Sequence, residues 1–399
     1  MIYSTVLGSG LTLVVVPDDR IPMVSIDIIY EFDPSLVPDG VPHLTEHLLF
    51  ESTKHLANGD VDRLLRLAGG RSNASTSWDR IVLNDVVASS NLETLLYIES
   101  DRAQYLCEAI TPEHLENQRA IIAQELFGMS VRKNGELADR LRQKSFANHP
   151  SLSKEVMGQI YDLETATIDD VCDFSKRWLQ PHNATWLVSG DVDVVRLVDS
   201  LDELFPVAGM SEKVSFGKVQ NEGHRWYQQS RDNRLTIVLA APPVGSVEEG
   251  ISDAMLYSLT QSEMWEQFSS IHSMQAWSEN RSYGGWMVVS VQTDSPEQTL
   301  GELDSWFEHP TVNWDHWNRR QQYLTAKYRL TNSGRLTLLQ NCVNALNKSE
   351  WSDCFYWHRN RFQVGPTNMD WLQTQRYWDV SEASILWQGS QNVFSGEEW

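Results

Sequence analysis

The sequence is short of basic residues, and this shortage limits what the protein can bind. Its 32 lysines and arginines face 54 aspartates and glutamates, which gives a formal net charge of −22. Such acidity argues against nucleic acid as a partner, because nucleic-acid binding calls for basic stripes. Since no single acidic block dominates, two interpretations of the acidity stay open: simple solubility, or an acidic inner surface that attracts basic peptides.

Long apolar runs and closely spaced cysteines are also missing. No apolar run approaches the roughly 20 residues of a membrane-spanning helix, and the start "MIYSTVLGSG" lacks the features of a secretory signal. The four cysteines, at positions 107, 172, 342 and 354, include no C-x-x-C pair. Their spacing predicts neither a disulfide scaffold nor a thiolate metal site. We therefore expect a cytoplasmic protein without a membrane span.

The pattern of strands and helices predicts two similar domains. Runs such as "LTLVVVPDD" and "VSIDIIYEF" indicate strands, and amphipathic segments such as "NLETLLYIESDRAQYLC" indicate helices. The order of elements begins again near residue 212, and "ASILWQGSQN" faintly echoes "ATWLVSGDVD". We predict an α+β fold with two domains, 1–211 and 212–399, each an α/β sandwich whose antiparallel-rich sheet packs against helices, duplicated within one chain.

Most of the tryptophans fall in the second half, for example in "WFEHPTVNWDHW" and "WSDCFYWHRNRF". Large aromatics at irregular spacing are typical of a core or of an interface rather than of a ligand cage. The second domain therefore suits a large docking surface.

The stretch "VPHLTEHLLFEST" carries the clearest chemical signal. Positions i, i+3 and i+4 share one face of a helix, so His43, Glu46 and His47 converge while Leu44 and Leu48 anchor the helix in the core. Two imidazoles one turn apart can bind one Zn²⁺, and the glutamate between them can accept a proton from an attacking water. The alternative is a polar turn on an apolar helix. A third metal ligand elsewhere in the chain would favour the zinc site over this alternative.

The helix predicted in "TPEHLENQRAIIAQELF" offers that third ligand. A buried face with i, i+3, i+4, i+7 spacing is predicted for Gln118, Ile121, Ile122 and Glu125. A carboxylate on such a face is costly unless it is paired or binds a cation. Glu125 is therefore a candidate metal ligand, with a surface position as the alternative.

Four ordered motifs resemble the pitrilysin, insulinase and mitochondrial processing peptidase family. "GVPHLTEHLLFEST" contains the H-x-x-E-H arrangement of inverzincins. "GGRSNASTSWDR" resembles the family's G-G-x-x-N-A-x-T segment, and "QRAIIAQE" resembles the helix that ends in its third zinc ligand. "LQPHNATWLVSGDVD" resembles the segment that closes its first domain. The resemblance covers nearly the whole first half of the chain.

The resemblance implies a role for each matching residue. It implies one Zn²⁺ per chain, with His43, His47 and Glu125 as ligands and Glu46 as the catalytic base. It also implies that a peptide substrate lies along the strand containing Asn73 and Ala74, since a strand edge offers backbone hydrogen bonds to an extended peptide.

The sequence also departs from the family pattern. The position seven residues before the ligand is often glutamate in the family and is Gln118 here. Gln124 stands at the commoner ligand spacing, which implies a one-residue insertion before Glu125. In the second half, "QFSSIHSMQAWSENRSYGG" lacks the family's arginine and tyrosine at their usual spacing. Arg281 and Tyr283 are candidates for substrate contacts, and a polar turn before a strand is the alternative.

These observations predict a zinc-dependent endopeptidase that cleaves peptides or unfolded segments inside a closed chamber. A heterodimer with a related, zinc-less subunit is expected, and a homodimer is the fallback. The competing hypothesis is a non-catalytic structural or assembly subunit, related to processing-peptidase or respiratory-complex core proteins. A small-molecule hydrolase with an unrelated zinc fold would not explain the ordered motifs.

Overall fold

A computed structural model of the chain describes residues 2–131, 133–206, 219–243, 246–281, 283–317, 319–320, 374–391, 393 and 397–398. These residues form two compact units. Residues 2–139 and 154–206 belong to the first, and residues 140–153, 219–320 and 374–398 to the second. The predicted boundary between residues 211 and 212 lies outside the described residues.

The first unit is built on a sheet of six described strands. They are β1 (Tyr3–Val6), β2 (Thr12–Pro17), β3 (Met23–Glu31), β4 (Arg71–Thr76), β5 (Arg80–Ala88) and β6 (Ala184–Gly190). Their order across the sheet is β1-β2-β6-β3-β5-β4. The β2–β6 pair is parallel, and the other pairs are antiparallel. β4 therefore lies at one edge of this sheet.

Eight α-helices lie in the described part of residues 2–206. They are α1 (Val41–Leu48), α2 (Asp60–Leu67), α3 (Leu92–Tyr105), α4 (Pro112–Val131), α5 (Lys133–Ser145), α6 (Ile160–Thr165), α7 (Ile168–Trp178) and α8 (Val194–Leu204). All of them except α5, which is divided between the two units, contribute buried side chains to one core with the sheet. Alternate residues of β3, among them Ile26 and Ile28, are fully buried in the same core as Leu44 and Leu48 of α1. The alternate residues of the strand and the apolar side of the helix thus pack into one core, as expected from the periods of a strand and a helix.

The second unit repeats the arrangement. Its described strands are β7 (Arg225–Gln229), β8 (Arg234–Ala241), β9 (Ile271–Arg281), β10 (Gly284–Thr293), β11 (Ser384–Gly389) and β12 (Glu397–Glu398), in the order β12-β7-β11-β8-β10-β9. Its described helices are α9 (Val247–Leu259), α10 (Ser262–Trp265) and α11 (Pro296–Glu308).

The five strands β7 to β11 correspond to β2 to β6. Both series have the same order across the sheet, and each pair runs in the same relative direction. β11, the predicted echo of β6, occupies the position of β6. The predicted duplicated α+β fold is therefore confirmed at the level of sheet topology.

The cysteine spacing predicted no disulfide scaffold, and it gave no sign of one disulfide that the structure contains. Cys107 and Cys172 are paired as a disulfide, with their Cα atoms 5.6 Å apart. Cys172 lies on α7, and Cys107 lies in the short turn after α3. The two are 65 residues apart in sequence, and only the packing of α7 against that turn brings them together, so their spacing carried no signal.

The described tryptophans of the second unit lie mainly in its core rather than on a docking surface. Those with buried side chains are Trp226, Trp286, Trp306, Trp317, Trp378 and Trp387. Trp265 and Trp314 are partly buried, and Trp277 on β9 is 39% exposed. The stretch "WSDCFYWHRNRF" lies outside the described residues. Among the helices that the structure describes, none has the length and apolarity needed to cross a membrane.

Candidate metal centre

Two features fix the orientation of α1: the packing at its start and its buried side. Gly40 precedes the helix with a φ of 77°, in the left-handed region that favours glycine. A side chain at this position would approach Met157 O to 2.9 Å, so the backbone of residues 157–158 packs directly against the start of the helix. Leu44 and Leu48 are fully buried. The opposite side of α1 therefore presents His43, Glu46 and His47 together.

Helix α4 brings Glu125 to the two histidines. Glu125 Oε2 lies 3.9 Å from His43 Nε2 and 3.6 Å from His47 Nε2. The candidate ligand atoms of these three residues all lie within 4.8 Å of one another. The chain thus gathers His43, His47 and Glu125, which the sequence predicted from two separate segments. Gln124, at the commoner spacing, is exposed.

The predicted buried face of α4 is only partly correct. Gln118 is 7% exposed and Ile122 is fully buried, so these two residues face the core. Ile121 is 43% exposed, and the side chain of Glu125 is 44% exposed. The buried surface of α4 is therefore narrower than the predicted face. Glu125 lies at the edge of this buried surface and reaches the histidines from there.

Burial determines the charge state of the histidine that lies deeper. Burial, together with the neighbouring His47, lowers the pKa of His43 to about 4. His43 is therefore neutral near pH 7, which is the form that binds metal ions. Its Nδ1 is buried and has no hydrogen-bond partner among the described residues.

Glu46 lies in an environment suited to a general base. Burial raises its pKa, and Glu125 acts in the same direction. A hydrogen bond from Thr76 and the nearby His47 oppose the rise. A carboxylate with a raised pKa accepts a proton more readily near neutral pH. The Thr76 hydroxyl, which donates to Glu46 Oε2 from the last residue of β4, was not identified from the sequence.

The donor set fits a zinc ion. Two imidazole nitrogens and one carboxylate oxygen are the ligands of a common class of catalytic zinc site, which leaves one position open. His43, His47 and Glu125 would be the residues that bind it. Their ligand atoms are close enough to share one ion after small side-chain movements.

Gln118 takes part in the site through His47. Its Oε1 lies 2.9 Å from His47 Nδ1, and its Nε2 donates a hydrogen bond to Glu51. The second carboxylate oxygen of Glu51 accepts a hydrogen bond from Asn58. No sequence pattern indicated Glu51, because it lies in a turn after α1 and at a variable position of the motif.

Asn73 and Ala74 lie in the middle of β4, at the sheet edge. Asn73 is exposed, whereas Ala74 points to the opposite face and packs against the core that includes α1. Residues alternate across a strand in this way. The outer side of β4 has no pairing strand among the described residues.

Arg281 and Tyr283 belong to the second unit. Arg281 is the last residue of β9, is 8% exposed and lies 3.5 Å from Glu279. The Tyr283 ring stacks on His149, with centroids 5.7 Å apart. These contacts suit the turn between two strands that the sequence offered as an alternative. A role for either residue in binding substrate stays a prediction.

Comparisons with known sequences find relatives of part of the chain. The sequence model of the family described as insulinase (peptidase family M16) matches residues 37–159. The zinc protease PqqE of Helicobacter pylori is 29% identical over 196 residues, which cover 48% of this chain and 43% of that protein. The matched segment thus spans less than half the length of this relative.

Two solved structures share the fold over nearly the whole chain. A protease from Helicobacter pylori has a TM-score of 0.81 at 17% identity, covering 98% of this chain and 99% of that one. The M16 inactive domain from Pseudomonas fluorescens also has a TM-score of 0.81, at 13% identity, covering 98% of each chain. The chain therefore has the fold of these peptidases, and the resemblance to the insulinase and pitrilysin family is confirmed.

Proposed function

We propose that this protein is a zinc-dependent endopeptidase whose catalytic domain is the first unit. The convergence of His43, His47 and Glu125 around one point, with Glu46 on the adjoining helical turn, carries the proposal. The family match over residues 37–159 and the likeness to a zinc protease over about half of the chain support it.

Each group has a distinct task in this proposal. When bound, zinc supplies Lewis-acid polarisation of the scissile carbonyl. Glu46 accepts a proton from the attacking water, and its raised pKa favours that transfer. Thr76 orients the Glu46 carboxylate through its hydrogen bond.

The substrate in this proposal is an extended peptide that adds to β4. The outer edge of β4, which pairs with no strand among the described residues, offers backbone hydrogen bonds near Asn73 and Ala74, independent of the peptide's side chains. Thr76 lies on the same strand and contacts the base, so a peptide on this edge would lie beside the catalytic group. Unfolded segments meet this requirement, whereas folded proteins do not.

Zinc analysis of the purified chain tests the proposal. We expect about one zinc per chain in the wild type and loss of that zinc in His47→Ala, because two ligands bind far more weakly than three. Glu113→Gln is the matched control, since Glu113 is exposed in the first turn of α4. Full zinc occupancy in His47→Ala would refute the assignment of the ligands.

A partner subunit belongs to the same proposal. We propose a heterodimer with a related, zinc-less chain that supplies the arginine and tyrosine lacking at family spacing in the second half. A homodimer is the fallback. The mass in solution, together with an assay of the isolated chain on unfolded peptides, tests this idea. Robust cleavage by a monomer or homodimer would refute the heterodimer.

The second candidate function is a non-catalytic subunit. One observation favours it: the M16 domain from Pseudomonas fluorescens with this fold is described as inactive. Against it stands the intact set of His43, Glu46, His47 and Glu125. A wild type that binds zinc but hydrolyses no peptide, alone or with a zinc-less partner, would favour this candidate.

A cytoplasmic location is also a proposal. The disulfide between Cys107 and Cys172 weighs against it, because disulfides persist mainly in oxidising compartments. Fractionation of the cells that produce the protein would distinguish the cytoplasm from an oxidising compartment.

A further inference from the structure

Three polar side chains form a hydrogen-bonded chain behind the candidate metal centre. His47 Nδ1 lies 2.9 Å from Gln118 Oε1, and Gln118 Nε2 donates to Glu51 Oε1. Gln118 is 7% exposed, so it needs partners inside the protein. The three residues come from α1, α4 and the turn that follows α1.

The hydrogen-bonding capacity of these groups permits one orientation of the Gln118 amide and one position for the His47 proton that faces it. An ionised carboxylate only accepts hydrogen bonds, so the NH₂ of Gln118 faces Glu51 and its carbonyl faces His47. That carbonyl also only accepts, so Nδ1 of His47 carries the proton. In the neutral imidazole, which is the form that binds a metal ion, Nε2 is then unprotonated. Nε2 is also the atom that lies 3.6 Å from Glu125.

We propose that Gln118 and Glu51 are positioning residues for metal binding. The carboxylate of Glu51, acting through the amide of Gln118, holds His47 in the tautomer whose Nε2 is free to bind the ion. The donation from Asn58 to the other oxygen of Glu51 holds the carboxylate in place. The inference rests on the proposed zinc site, and it assigns to Glu51 a role that no motif indicated.

The same arrangement explains the glutamine at position 118. A carboxylate there would face the carboxylate of Glu51 within hydrogen-bonding distance, and two like charges so close repel. An amide at 118 accepts from His47 and donates to Glu51 at once. The negative charge is therefore kept, one residue further from the metal ligand.

Zinc affinity, measured by competition with a chromophoric chelator, tests the chain of contacts. We expect Gln118→Leu and Glu51→Gln each to weaken zinc binding about 10- to 100-fold, as is typical for groups that orient a ligand. Glu113→Gln, on the exposed first turn of the same helix, should stay within about twofold of the wild type, because it contacts none of these groups.

A reversed pair provides the rescue. In the double variant Gln118→Glu/Glu51→Gln, the carboxylate at position 118 accepts from both His47 and the amide at position 51. We expect its zinc affinity to return to within about threefold of the wild type. A double variant no better than the sum of the single losses would overturn the proposal, because a purely structural role predicts additive damage.

The tautomer itself is measurable without metal. ¹⁵N spectra of histidine-labelled, zinc-free protein should show His47 protonated at Nδ1 in the wild type and shifted towards Nε2–H in Gln118→Leu. If the wild type binds zinc but cleaves no peptide, the proposed function fails, and the tautomer and the zinc affinity still decide this inference. Unchanged tautomer and zinc affinity in both single variants would overturn it.

Discussion

Thr76, at the end of the edge strand β4, donates a hydrogen bond to the carboxylate of Glu46 on α1. This contact joins the strand proposed to bind the peptide to the group proposed to accept a proton. A hydrogen bond to a carboxylate restricts its orientation as well as stabilising its charge. In this proposal, Thr76 therefore couples the position of the bound peptide to the orientation of the Glu46 carboxylate.

Thr76→Val should lower kcat about tenfold, since a hydrogen bond to a charged group contributes roughly 1.5–3 kcal/mol. KM should change little, because the strand keeps its backbone edge. Thr76→Ser keeps the hydroxyl and is the matched control, expected near the wild-type rate. Steady-state kinetics on an unfolded peptide check this. Equal rates for the valine and serine variants would show that the contact does not orient the base.

Glu125→Ala should weaken zinc binding by at least about tenfold, because it removes one of three ligands. Gln124→Ala should leave the affinity nearly unchanged, since the Gln124 side chain is exposed and is not among the residues whose ligand atoms converge. Chelator competition on both variants decides the register of α4. The reverse ranking would place the ligand at position 124.

Two glycines that precede helices allow a matched test of what fixes α1. Gly40 and Gly59 have φ values of 77° and 80°, but an added Cβ meets Met157 O at 2.9 Å only at Gly40. Gly59→Ala should cost about 1–2 kcal/mol from backbone strain alone. Gly40→Ala should cost at least about 1 kcal/mol more from the steric clash. Urea unfolding measures both, and equal losses would show that residues 157–158 give way easily.

Asp27 should make the protein less stable as the pH rises. Burial raises the pKa of this carboxyl to about 6, against an opposing hydrogen bond from Asn84. The folded protein thus holds the proton more tightly than the unfolded chain, in which the pKa of this carboxyl has its ordinary value of 3.8. The free energy of unfolding therefore falls as the pH rises from about 4 through about 6.

Asp27→Asn removes that penalty and can still accept the hydrogen bond from Asn84. We expect it to be about 1–3 kcal/mol more stable than the wild type at pH 7.5, with a smaller difference at pH 4.5. Urea unfolding at the two pH values measures the difference. A variant less stable than the wild type at pH 7.5 would show that the buried charge is paired more strongly than its contacts indicate.

Local patterns predicted the parts of the site that one element carries. Helical spacing placed His43, Glu46 and His47 on one face of a helix, which follows from the period of 3.6 residues and needs no knowledge of the tertiary fold. The role of the strand that contains Asn73 and Ala74 was implied by the family resemblance instead. The duplicated order of strands was also visible in the repeated pattern of elements.

Contacts between distant segments could not be predicted in this way. The disulfide between Cys107 and Cys172 and the hydrogen bond between Gln118 and Glu51 depend on how separate elements pack. Periodicity also misjudged Ile121, because it identifies a face of α4 and not the width of the surface that covers it. The third ligand, Glu125, was found through the family resemblance more than through its burial.

Glu46→Gln is the most direct test of the whole site. The amide keeps the shape of the side chain and can still accept from Thr76, but it cannot act as the base. We expect the variant to retain about one zinc per chain while peptide hydrolysis falls at least about 100-fold. Near-normal hydrolysis would contradict the role of Glu46, and loss of zinc would place Glu46 among the ligands.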